Sequence, residues 1–164
     1  MASILDLINN HGTVRRFDTG EIIIEEGTKT GLLFFLIEGA VEVLKGDMPV
    51  ATASEPGVVF GEQAALLGID HTATVRALRP CTFRIVENPR AFLEASPQVC
   101  LHVCELSARR LDALTKYLVD VRQQFGGHDH IGLVDGVLET LLHRHPGRRT
   151  RPSESTIRQI ELAE

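Results

Sequence analysis

Between Arg16 and Glu87 the apolar residues gather into short runs: EIIIEEG, GLLFFLIEG, AVEVLKGD, VATASEPG, ATVRALRP and CTFRIVE. Gly20, Gly27, Gly39, Gly46 and Gly57 punctuate them, where turns need positive φ or close backbone approach. Short strands with turn signals at such spacing predict a small antiparallel barrel or jelly roll. LLFFLI is apolar throughout, which predicts a central strand covered on both faces. CTFRIVE alternates Thr82, Arg84 and Val86 against Phe83, Ile85 and Glu87, so one face is expected to be half buried at best.

Either side of this region the period is helical. Ile4, Leu5 and Ile8 mark a short helix within Ser3 to Asn10, closed by Asn9, Asn10 and Gly12. RAFLEAS predicts another, and one long helix runs from about Pro97 to Phe125, stopped by Gly126 and Gly127. Along it Cys100, Cys104, Ser107, Leu111, Leu114, Leu118, Val121 and Phe125 alternate steps of four and three, the seam of a two-stranded coiled coil. An amphipathic helix lying on its own barrel shares much of this periodicity, but a small barrel covers only the first turns. The seam therefore predicts a parallel homodimer. Beyond it, Ile131, Val134, Val137, Leu138, Leu141 and Leu142 share one helical face, followed by the polar linker HPGRRTRPSES and a short TIRQIELAE. The expected organisation is a domain with its long helix over 1–125 and a short, partly basic helical tail over 126–164.

Composition narrows the class. A chain of 164 residues, 43% hydrophobic, has material for one domain and its core with a short appendage. The formal charge of −5 argues against wholesale coating of nucleic acid, although Arg144, Arg148, Arg149 and Arg151 form a local basic cluster. Cys81, Cys100 and Cys104 are an odd set without framework spacing, which favours a reducing compartment. MASILDLINNHG lacks the features of a signal peptide and no run approaches transmembrane length, so a cytoplasmic location is expected, with no membrane partner.

Candidate chemistry lies in FGEQAALLGIDHTATVRA, Phe60 to Ala77. Gly61 lets backbone approach a ligand, and EQAALL opens a helical turn whose first N–H groups attract an anion. Glu62 at that place repels phosphate but suits a ribose hydroxyl, so glycine and carboxylate together favour a nucleotide. Thr72 and the amide near Ala73 add donors where the chain returns to strand. The stretch resembles the phosphate-binding cassette of cyclic nucleotide-binding domains, in which glycine and glutamate precede a short helix, then Arg, a small residue and Ala before a strand. The resemblance extends through GEIIIEEG, LLFFLIEGAVEVL, PGVVFGE, ATVRA and SARRLDALTKY, about Val14 to Phe125.

That resemblance implies a mainly β fold with α-helices, an eight-stranded antiparallel jelly-roll barrel with helices at both ends. It implies that Gly61 and Glu62 face the ribose, the amides near Gln63 and Ala64 the cyclic phosphate, and Thr72 and Ala73 its other oxygens. Thr115 falls where bacterial receptor-protein members reach the base from the long helix. His71 stands in place of the family's Arg. A mostly neutral imidazole offering one contact replaces a planar charged fork, a loss of about 1.5 to 3 kcal/mol and so weak binding.

The expected function is thus a cyclic nucleotide-binding regulatory or sensor protein, working as a ligand-responsive dimer and not as an enzyme. No nucleophile, base and orienter fall together, and no catalytic residue is assigned. The β region holds a single histidine, which argues against the metal site of a cupin enzyme; no metal ligand and no cofactor are expected. Two alternatives stand beside this reading. One is a transcription regulator of the receptor-protein family, for which SESTIR resembles the opening of a recognition helix without the supporting helix before it, so the DNA-binding motif is incomplete. The other is a ligand-free dimerisation module.

Overall fold

The computed structural model describes residues 3–124 and Val137. The elements, in chain order, are α1 (Ile4–Ile8), β1 (Thr13–Phe17), β2 (Ile22–Ile24), β3 (Leu33–Lys45), β4 (Met48–Ala53), β5 (Val59–Phe60), α2 (Glu62–Leu67), β6 (Thr74–Val86), α3 (Pro89–Ala95) and α4 (Pro97–Gln124). The chain divides into two compact units, 1–110 and 111–164. Phe125, the helical face expected from Ile131 to Leu142 apart from Val137, the arginine cluster and SESTIR lie outside the described residues.

In the first unit the strands form one antiparallel sheet ordered β1-β6-β3-β4, with β2 on β6 and β5 on β3. Eight strands in a closed barrel are expected from the sequence; the described residues form six on an open path. The difference in count comes from β3 and β6, each 13 residues long. Their pairing shifts register between Leu36 and Val41, so each ribbon is one strand bent at mid-length. Gly39 sits in that bend at φ +104°, within β3 and not between two strands; a β-carbon there would stand 2.4 Å from Cβ of Cys81 and 2.6 Å from the Pro80 carbonyl oxygen.

LLFFLI is covered on both faces for a plain geometric reason. Successive side chains point oppositely, so Phe34 and Leu36 enter one core with Phe17, Val41, Phe60, Val75 and Phe83, while Leu33 and Phe35 enter a second. That second core collects Ile8, Val59, Val86, Phe92, Leu93, Val99 and Val103 under the helices. CTFRIVE is more deeply buried than its alternation predicts. Phe83 and Ile85 face the first core, Val86 the second, and Thr82 is buried while donating its hydroxyl to Glu38 at 2.8 Å.

Helix α1 begins with a capping box, in which the Ser3 hydroxyl and the Asp6 carboxylate exchange hydrogen bonds with each other's backbone N–H. In α4 Val99 and Val103 are buried in the core and Leu106 packs against it, each one position off the seam drawn through Cys100, Cys104 and Ser107. Cys100 packs at the edge of this core and Cys104 is exposed. In the second unit Leu111 and Leu114 are 46% and 47% exposed. Among the described residues no helix is long and apolar enough to cross a membrane, and no group of three or more His, Cys, Asp or Glu side chains is placed to hold a metal.

Candidate functional site

Strand β5 delivers the chain to Gly61, which takes φ +82° as the N-cap of α2. The positive φ is one reason for glycine there. The other is space: a β-carbon would stand 2.8 Å from the Leu32 carbonyl oxygen and 3.4 Å from Cε1 of His71. Because α2 starts at Glu62 and Ala65 is the first residue whose amide reaches back, to Gly61, the amides of Gln63 and Ala64 have no intrahelical acceptor.

Glu62 is 5% exposed. Its Oε1 accepts Nη1 of Arg110 at 2.5 Å, and the same guanidinium donates through Nη2 to the Val59 carbonyl at 2.7 Å. The guanidinium also lies over the Phe60 ring, 5.8 Å from its centre. Among the described residues, Oε2 of Glu62 has no hydrogen-bond partner. A buried carboxylate with one oxygen spoken for and one open is an acceptor waiting for a hydroxyl or amide donor.

His71 is buried, 5% exposed, and is not the solvent-facing loop residue that a functionless position would allow. The loop between β2 and β3 clasps it. Its amide donates to the Thr28 carbonyl and its carbonyl accepts the Gly27 amide, both at 2.8 Å, while Nε2 lies 2.8 Å from Oγ1 of Thr30. Burial lowers the imidazole pKa, and the neighbouring Asp70 carboxylate opposes that only in part. In the free protein at neutral pH the ring is therefore uncharged.

The same loop and the end of β3 hold the rest of the returning chain. Lys29 Nζ donates to the Gly68 carbonyl at 2.8 Å, Lys45 Nζ to the Thr72 carbonyl and to Glu26, each at 2.5 Å, and the Glu26 amide to Oγ1 of Thr74 at 3.0 Å. Lys45 and the Gly46 amide lower the Glu26 pKa, so that carboxylate stays ionised. The Thr72 hydroxyl donates to Oε1 of Gln63 at 3.4 Å, which joins the two ends of the stretch.

The structure thus brings together Gly61, Glu62, Gln63, Ala64, His71, Thr72 and Ala73 in the first unit. Thr115 belongs to the second unit, where its hydroxyl donates to the Leu111 carbonyl of its own helix at 2.9 Å. Sequence reasoning missed Arg110, Thr30 and Lys45. Arg110 had a signal: a carboxylate expected to be buried at Glu62 needs a cation, and SARR supplies candidates on the long helix. Thr30 and Lys45 had none, since both meet the cassette only through the strand pairing. His102 on the same helix reaches the Gly57 carbonyl with Nε2 at 2.8 Å.

Residues 14–94 match the family described as cyclic nucleotide-binding domain. The cAMP-dependent protein kinase regulatory subunit of Yarrowia lipolytica (strain CLIB 122 / E 150) is 37% identical over 67 residues, 41% of this chain and 18% of that one. The chain therefore spans under a fifth of the length of that relative. A solved structure described as "Sp-2Cl-cAMPS bound to PKAR CBD2" is similar with a TM-score of 0.52 and 25% identity, over 66% of this chain and 70% of the other. The catabolite activator protein of Thermus thermophilus shares the fold at a TM-score of 0.57 and 21% identity, over 85% and 81% of the two chains.

Proposed function

Residues 14–94 are a domain of the cyclic nucleotide-binding family, and on that premise we propose that the chain is a regulatory sensor whose cassette, Gly61 to Ala73, binds a cyclic nucleotide. The observation that carries this reading is the open oxygen of Glu62, buried beside the glycine N-cap of a helix. It accepts a ribose hydroxyl in this reading, while the Gln63 and Ala64 amides and the donors at His71, Thr72 and Ala73 serve the cyclic phosphate. Thr115 is the proposed contact to the base.

Arg110 gives the ligand a route to the helix. Its guanidinium holds Glu62 and Val59 at once, so a hydroxyl arriving at Glu62 changes what α4 is tied to. Response then requires that the ligand favour one arrangement of this link over another. In the same reading the protein acts as a homodimer through α4, supported by Leu111 and Leu114, large apolar residues exposed at seam positions. DNA is the alternative partner, through a tail that lies outside the described residues.

Calorimetric titration of the full chain with cyclic AMP and with cyclic GMP tests the proposal. Binding of at least one is expected, and Glu62→Gln, which keeps the Arg110 acceptor but removes the charge, should weaken it about tenfold, as loss of a charge-assisted hydrogen bond does. No heat with either nucleotide at millimolar concentration would sink the sensor reading and leave the dimerisation module.

A further inference from the structure

The ring of His71 has a companion that the sequence does not mark. Thr30, in the loop between β2 and β3, places Oγ1 2.8 Å from Nε2 of His71, and the same oxygen accepts the Leu32 amide at 3.3 Å. On another side the Cε1 edge of the ring lies 3.4 Å from where a β-carbon on Gly61 would stand. The ring is buried, its main chain is bonded to Gly27 and Thr28, and among the described residues Nδ1 has no hydrogen-bond partner.

A hydroxyl owns one hydrogen and two lone pairs. Leu32 occupies one lone pair of Thr30, which leaves the hydrogen and the second lone pair to meet Nε2. A neutral imidazole that accepts at Nε2 carries its own proton on Nδ1. We propose that Thr30 is a positioning residue, which by donating to Nε2 holds His71 in the tautomer whose Nδ1–H faces an anion as a donor. The opposite tautomer would present a lone pair to a phosphate oxygen and repel it. The inference rests on the cyclic nucleotide reading for the identity of the anion.

The test uses the full chain labelled with 15N-histidine, with a long-range proton–nitrogen correlation spectrum recorded at pH 8 without nucleotide and His71 assigned through His71→Gln. The expected result is a single Nδ1–H tautomer for His71 in the wild type. Thr30→Val should convert it to a mixture or to the Nε2–H form, and Thr30→Ser should restore it. Affinity for cyclic AMP should fall about two- to fivefold in Thr30→Val, because apparent affinity scales with the fraction of protein in the competent form. A wild-type His71 protonated on Nε2, a tautomer unmoved by Thr30→Val, or a shifted tautomer with unchanged affinity each overturns the proposal. Since the spectrum needs no ligand, absence of nucleotide binding by the wild type overturns the anion's part through the functional reading, and the tautomer is decided separately.

Discussion

By the cassette resemblance His71 stands in place of an Arg, and its surroundings decide how that exchange works. A buried neutral ring gains from a nearby phosphate by taking up a proton, so the pKa in the complex lies above that in the free protein. Binding then takes up protons, and affinity for cyclic AMP should rise from pH 8 to pH 6 in calorimetry; equal values at the two would remove His71 from the phosphate site. Stability of the free protein runs the other way. Its folded pKa is depressed, so below about pH 6.5 the unfolded chain binds a proton that the folded chain resists, and stability falls as pH drops through that window. Thermal melts at pH 7 and pH 5 should show this loss in the wild type and a smaller one in His71→Gln. Restoring the guanidinium with His71→Arg should tighten nucleotide binding about ten- to hundredfold, the worth of a bidentate charged contact.

Helix α4 and the bent strand β3 are the elements on which the cassette depends. α4 meets the second core with Val99, Val103 and Leu106, and one turn later it sends Arg110 to Glu62. Arg110→Ala strands a buried carboxylate and should cost about 1–2 kcal/mol, the low side of such losses because the arginine side chain is 40% exposed and water replaces part of it. Urea unfolding with and without cyclic AMP checks both stability and coupling; unchanged midpoints in both would leave the pair without a role. In β3 the bend at Gly39 has no room for a side chain, with Cys81 and Pro80 backbone and side-chain atoms within 2.6 Å of a β-carbon placed there. Gly39→Ala should destabilise by roughly 2–4 kcal/mol through strain at positive φ plus steric overlap, read as a lowered melting temperature.

For the whole molecule, a ligand held by the first unit should raise the melting temperature of the chain by mass action. At ten times Kd the gain is about 1.4 kcal/mol, or a few degrees for a chain of this size. Sedimentation of the wild type should show a dimer, and Leu111→Glu combined with Leu114→Glu should shift it to monomer by placing charge on the exposed apolar positions. Much of this protein was legible beforehand. Runs of β-branched residues set off by Gly20, Gly27, Gly46 and Gly57 marked the strands, and the four-three spacing marked the long helix, because backbone period and turn chemistry are local properties. FGE within its setting marked the cassette for the same reason. Strand count was misjudged where β3 and β6 bend without breaking, since a bulge needs a partner strand to define it. The helix face that packs, the burial of His71, and its meeting with Thr30 at 41 positions' separation came only from the folded chain. So did the capture of Glu62 by Arg110, 48 positions away. The sequence by itself determined the elements and the residue types at the site. Tertiary structure decided which of those side chains are desolvated and paired, because charge state, tautomer and open lone pairs are set by neighbours that only folding brings within hydrogen-bond reach.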